Sequence, residues 1–169
     1  DTSNFPEEMG IALGQAEVTP LEMAQFMAMI SNGGHKVKGF PVISAYDLSG
    51  KNHIVQHPLG RRVINDDTAA MIKELMRLVI RYGTGGAIRG IGGKKGYTDM
   101  SIGKTGTTDK SKDLWFIGAT PNYASAIWLG YDQPTKMRGT ASDIAAPMWG
   151  RWMREVHKGI PVKKQFNGV

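Results

Sequence analysis

The chain has no cysteine among its 169 residues. That excludes disulfides, thiolate metal sites and thiol nucleophiles, and leaves the compartment open. Aromatics are sparse at 8%. No apolar run approaches the roughly 20 residues that span a bilayer, and the start, DTSNFPEEMG, lacks a signal-peptide pattern. That lack excludes little, because the chain opens in mid-stride and is expected to continue upstream. What is abundant is glycine, 22 residues, many of them between Gly83 and Gly106. The net charge is +6. Because Lys and Arg are scattered and no run interleaves with aromatics, the balance reads as a solvated basic face rather than a nucleic-acid surface.

Hydrophobic residues at 41% and charged residues at 21% are ordinary for one globular domain. Thr19, Pro20 and Glu22 form a helix start, with cap, first-turn proline and capping-box partner in place. Apolar residues on several faces of the segment predict a well-buried helix that stops at Asn32-Gly33-Gly34. Phe40–Asp47 and His53–Gln56 read as two extended runs joined by Ser49-Gly50, a hairpin pattern. A second helix is predicted from Asn65, with Met71, Ile72, Leu75, Met76, Val79 and Ile80 as its buried stripe. Three strands follow, Met100–Thr105, Leu114–Thr120 and Ala124–Tyr131; their short links predict an antiparallel meander. A last helix opens near Pro147, with Met148, Trp152 and Val156 turned inward and Trp149 a further candidate for that side. The class is α+β, an antiparallel sheet flanked by helices.

The sharpest stretch is Ser101-Ile102-Gly103-Lys104-Thr105-Gly106-Thr107-Thr108. A phosphate loop fails, because Thr98 stands where its first glycine belongs and a strand, not a helix, is expected after Lys104. Ser101 and Lys104 match Ser-x-x-Lys literally. On a strand, however, they lie about 10 Å apart at ~3.3 Å per residue and point to opposite faces. Proton transfer needs roughly 3 Å, so that match reads as accidental. The third reading is a Lys-Thr-Gly edge strand beside an acyl-transfer serine. Glycine there lets a substrate backbone approach, and threonine hydroxyls with a free N–H can hold a carboxylate and an oxyanion. His53 and His57 lack the rest of a zinc motif and read as surface residues. The four tryptophans read as core, and the ten methionines as core filler.

With these residues in hand, the chain resembles the transpeptidase domain of class A (bifunctional) penicillin-binding proteins. The matching segments are ALGQAEVTPLEMAQFMAMISNGG (12–34), GTGG (83–86), IGKTGTT (102–108), DLWFIGATPNYASAIWLGYD (113–132) and AAPMWGRWM (145–153). The resemblance implies a partial penicillin-binding-protein/serine β-lactamase-like fold, with residues 1–169 as the carboxy-terminal portion of one domain. Ser-x-x-Lys and Ser-x-Asn would lie upstream of Asp1. It implies a D,D-transpeptidase that cross-links peptidoglycan stem peptides through a serine acyl-enzyme and is inhibited by β-lactams. Within it, Lys104 is the implied catalytic lysine, Thr105 and Thr107 the carboxylate-binding hydroxyls, and Gly106 the residue that keeps the strand open. The Thr107 N–H is implied as half of the oxyanion hole. Asp113 recurs in the family pattern, and a structural role is expected for it. Implied partners are the stem peptide, β-lactams and the missing amino-terminal half of the domain, with no cofactor, metal or nucleic acid. The implied location is the outer face of the plasma membrane, by an upstream anchor. The alternative is a non-catalytic binding or scaffold lobe, and the isolated chain is expected to be inactive.

Overall fold

The computed structural model describes residues 7–54, 59–91, 100–161, 163, 165 and 166. Helix α1 is Pro20–Ser31; strands β1, His35–Val37, and β2, Leu59–Arg62, form a small antiparallel pair. Helix α2 is Asp66–Tyr82. Strands β3 (Ile102–Thr107), β4 (Leu114–Ala119) and β5 (Ala124–Leu129) form the main antiparallel sheet in the order β3-β4-β5, and helix α3 is Ala145–Val156. The class is α+β, as expected.

The starts of α1 and α2 follow their local chemistry. Thr19 Oγ1 accepts from the Glu22 N–H at 3.2 Å while Glu22 Oε2 accepts from the Thr19 N–H at 2.8 Å, a closed capping box. Asn65 caps α2, accepting from the Thr68 N–H at 2.7 Å. Of the expected hairpin, the described residues keep only the turn end: an isolated Tyr46–Asn52 bridge, with the His53 N–H donating to the Ala45 carbonyl at 2.8 Å and the Asp47 N–H to the Lys51 carbonyl at 3.1 Å. Asp47 organises the turn. Its carboxylate accepts from the Ser49 hydroxyl (2.6 Å), the Ser49 N–H (2.8 Å) and the Lys51 N–H (3.1 Å). Hydrogen bonds from Ser49, His53 and Lys51 hold that carboxyl down at about 2. The side-chain turn closes this short pairing, and Val42, Ile43 and Leu48 stay exposed. Strand pairing goes instead to His35–Val37 with Leu59–Arg62; Val55 and Gln56 lie outside the described residues.

The main sheet carries two cores. Opposed residues share a face, so Ile102, Ile117 and Ala119 meet Met27 and Ile30 of α1, while Leu114 and Phe116 meet Trp149 and Met153 of α3. The Phe116 and Trp149 rings lie 5.1 Å apart. A Cβ on Gly118 would sit 2.7 Å from Trp149 Cζ2, so glycine is what admits the indole.

All three helices correct the predicted faces. On α1, Leu21 is 61% exposed, since a sheet covers only one side of it. On α2, Ile72, Met76 and Ile80 turn inward as expected, but Met71 and Leu75 do not. They join Leu78 and Tyr82 in an exposed stripe at i, i+4, i+7, i+11 on the opposite side. On α3, Val156 packs inward as expected and Trp149, the further candidate, is buried, whereas Met148 and Trp152 are 38% and 47% exposed. Pairs 148/152 and 149/153 have equal periodicity. The small residues Ala145, Ala146 and Gly150 decide between them, because they let α3 approach closely on the 149/153 side. Replacing Trp149 with alanine should cost about 3–5 kcal/mol in urea unfolding. Trp152→Ala should cost about 1 kcal/mol or less.

Lys73 of α2 is 3% exposed, and its Nζ has no hydrogen-bond partner among the described residues; the Phe166 ring lies 5.8 Å away. Burial, then the neighbouring Arg77 guanidinium, push its pKa below the ordinary value of 10.5. The unfolded chain therefore binds more protons there, so the penalty holds at neutral pH and is relieved as pH rises toward 10.5. Lys73→Met should raise Tm by a few degrees near pH 7, and calorimetry should show the gain shrinking in alkaline buffer.

Candidate functional site

The site is built on the outer edge of β3, where no further strand pairs among the described residues. The Thr108 N–H donates to the Asp113 carbonyl at 3.1 Å. Ladder bonds in an antiparallel pair fall on every second couple, so the register continues through Gly106–Trp115, Lys104–Ile117 and Ile102–Ala119. The N–H and C=O groups of Gly103, Thr105 and Thr107 consequently point away from β4, to the outer edge.

The side chains divide between the two faces. Lys104 is exposed on the face of Ile102 and Ile117, and its Nζ donates to the Thr105 carbonyl at 2.8 Å. It has no ion-pair partner among the described residues. Thr105 and Thr107 share the opposite face. Thr105 Oγ1 lies 2.5 Å from Thr84 Oγ1, in the turn that follows α2. Thr107 Oγ1 accepts from the Ala141 N–H at 3.3 Å. A Cβ on Gly106 would stand 3.3 Å from the Cβ of Trp115, so this glycine has a packing role as well as leaving the edge open.

The strand also removes the two competing readings. Ile102–Thr107 is extended where a phosphate loop needs a helix, and Ser101 is fully buried while Lys104 is exposed. His53 contacts Asp47 at 2.7 Å, and His57 lies outside the described residues. Of the tryptophans, Trp149 is core, whereas Trp128 and Trp152 are partly exposed.

Asp113, whose role the residue pattern left open, is a pin between strands. Its Oδ2 accepts from the Thr108 hydroxyl at 2.9 Å and its Oδ1 from Trp128 Nε1–H at 3.0 Å, while its own N–H donates to Thr108 Oγ1 at 2.8 Å. This holds the end of β3 against β5. Across the same link, the Met137 N–H donates to the Ser111 carbonyl at 3.0 Å. A cleft of about 540 Å³ opens there, lined by Ser111, Lys136, Met137, Arg138 and Gly139. Asp113→Ala should lower stability by about 1–3 kcal/mol, read by urea unfolding, and should red-shift Trp128 fluorescence. Thr84 and Ala141 were missed because their contacts join residues 21 and 34 apart in sequence.

Residues 5–154 match the family described as the penicillin binding protein transpeptidase domain, and the chain belongs to that family. It is 34% identical to penicillin-binding protein 1A of Neisseria lactamica over 99% of this chain and 21% of that protein. It is likewise 34% identical to the Neisseria gonorrhoeae protein of the same name, over 99% of this chain and 21% of that one. Among solved structures, penicillin-binding protein 1A from Haemophilus influenzae matches with a TM-score of 0.85 at 24% identity, covering 99% of this chain and 30% of that one. PonA1 from Mycobacterium tuberculosis in complex with penicillin V matches at 0.77 and 23% identity, covering 97% of this chain and 46% of that one. The chain spans about a fifth of the length of the curated relatives it matches.

Proposed function

We propose that this chain is the carboxy-terminal portion of a class A penicillin-binding protein's transpeptidase domain and supplies the Lys-Thr-Gly wall of its site. The observation that carries the reading is the outer edge of β3, with an exposed lysine on one face, two threonine hydroxyls on the other, and backbone N–H groups aimed outward between them.

The chemistry assigns each group a task. A serine outside this chain attacks the carbonyl of a stem peptide's penultimate D-Ala. Its proton passes through a base to the departing D-Ala amine, leaving an acyl-serine. An amine of a neighbouring stem then takes the acyl group and the serine is regenerated, so two lower barriers replace one. Lys104 supplies positive charge beside the serine. Thr105 and Thr107 hold the donor's terminal carboxylate, or that of a β-lactam, which enters as a substrate mimic and stays as an acyl-enzyme. The Thr107 N–H is one donor to the oxyanion.

The exposed stripe Met71, Leu75, Leu78 and Tyr82, and the outer edge of β5, which pairs with no further strand among the described residues, support the view that the rest of the domain packs against these surfaces. Among the described residues no helix is long and apolar enough to cross a membrane. Placement at the outer face of the plasma membrane belongs to the proposed longer protein.

The test is labelling with a fluorescent penicillin, read by intact-mass spectrometry. The longer protein should be acylated on a serine outside this numbering, and Lys104→Ala should slow that step at least ~100-fold. The isolated chain should show no adduct. A stable adduct on Ser101 would overturn the proposal, and an inert longer protein would favour a non-catalytic lobe.

A further inference from the structure

We propose that Thr84 is a positioning residue that sets the direction of the Thr105 hydroxyl, so that Thr105 offers its proton rather than its lone pairs to the substrate carboxylate. This rests on the transpeptidase reading and extends the anion-binding site to a residue outside the strand.

The two Oγ1 atoms are 2.5 Å apart, so one hydroxyl donates and the other accepts. Each has one proton. If Thr105 donates to Thr84, its proton is consumed and lone pairs face the incoming carboxylate. If Thr84 donates to Thr105, the Thr105 proton is left for the anion. An anion bound at the edge selects the second arrangement, in which each hydroxyl polarises the next. Thr107, on the same face two residues along, is prepared in the same way. Its Oγ1 already accepts from the Ala141 N–H at 3.3 Å, which leaves its proton free. Both hydroxyls thus have an acceptor side filled by protein and a proton to give.

Thr84 is held well enough for this task. The turn around it is closed by three backbone hydrogen bonds of 3.0 Å, from the Gly83 and Gly85 N–H groups to the Val79 carbonyl and from the Gly86 N–H to the Gly83 carbonyl. These root it on the last turn of α2, a rigid element that packs along β3. A hydroxyl on a fixed platform can bias a rotor that β3 alone leaves free.

The experiment measures acylation of the longer protein by a penicillin with a free carboxylate and by its methyl ester. Thr84→Val should slow the free acid about tenfold, the loss of one charge-assisted hydrogen bond, and slow the ester far less. Thr84→Ser should restore the free-acid rate. Combined with Thr105→Val, Thr84→Val should add nothing further, which reads the coupling without relying on any one variant's stability. Equal losses for acid and ester, additive effects in the double variant, or an unchanged rate in Thr84→Val would each overturn the inference. A wild-type protein that neither compound acylates would sink the transpeptidase reading itself, a different outcome from any of these.

Discussion

The structure depends on β4 having apolar residues on both of its faces. Leu114 and Phe116 point one way, Ile117 and Ala119 the other or into close packing, and all four are buried. A strand of that kind needs cover above and below, because its apolar side chains cannot face water cheaply, and a neighbour on each side, because its backbone groups are then buried and must be paired. Helix α1 answers one face and α3 the other. The neighbours are β3 and β5, each joined to β4 by a short link.

That arrangement decides what β3 can be. It gives one backbone edge to β4, and the other pairs with no strand among the described residues, so N–H groups at alternate residues point outward from the sheet. An exposed edge is ordinarily a liability that proteins blunt with charge. Here the charge is Lys104, and on the proposed reading the neighbouring threonines would make the edge a place where an extended peptide with a carboxylate end can lie. Asp113 makes the edge rigid. By binding Thr108 and Trp128 at once, it ties the last residue beyond β3 to the far strand of the sheet.

Local signals were the legible ones. Caps, turn glycines and the alternation of β3 lie within a few residues of one another, and α1, α2 and the meander were readable from them. Which side of a helix turns inward was not. Two stripes on α3 had the same spacing, and the choice between Trp149 and Trp152 fell to Gly118, which admits the Trp149 indole, and to Gly150, which admits Ile88 and Ile91. Among the described residues, the expected hairpin is shortened to its turn end for a related reason: alternation predicts a strand only as far as something pairs with it, and Asp47 spends the local donors on the turn. In the site, Lys104, Thr105, Gly106 and Thr107 stood together in sequence and could be named. Their partners Thr84 and Ala141 came from distant segments, and no spacing rule reaches that far.

Helix α2 connects these levels. Its inner face packs Ile72, Met76 and Ile80 into both cores, its end carries Thr84 to β3, and its outer face leaves Met71, Leu75, Leu78 and Tyr82 in water. The stripe and the turn that holds Thr84 therefore sit on one 17-residue helix. On the proposed reading, a partner surface that covers the stripe would pack on the same element that brings Thr84 to β3.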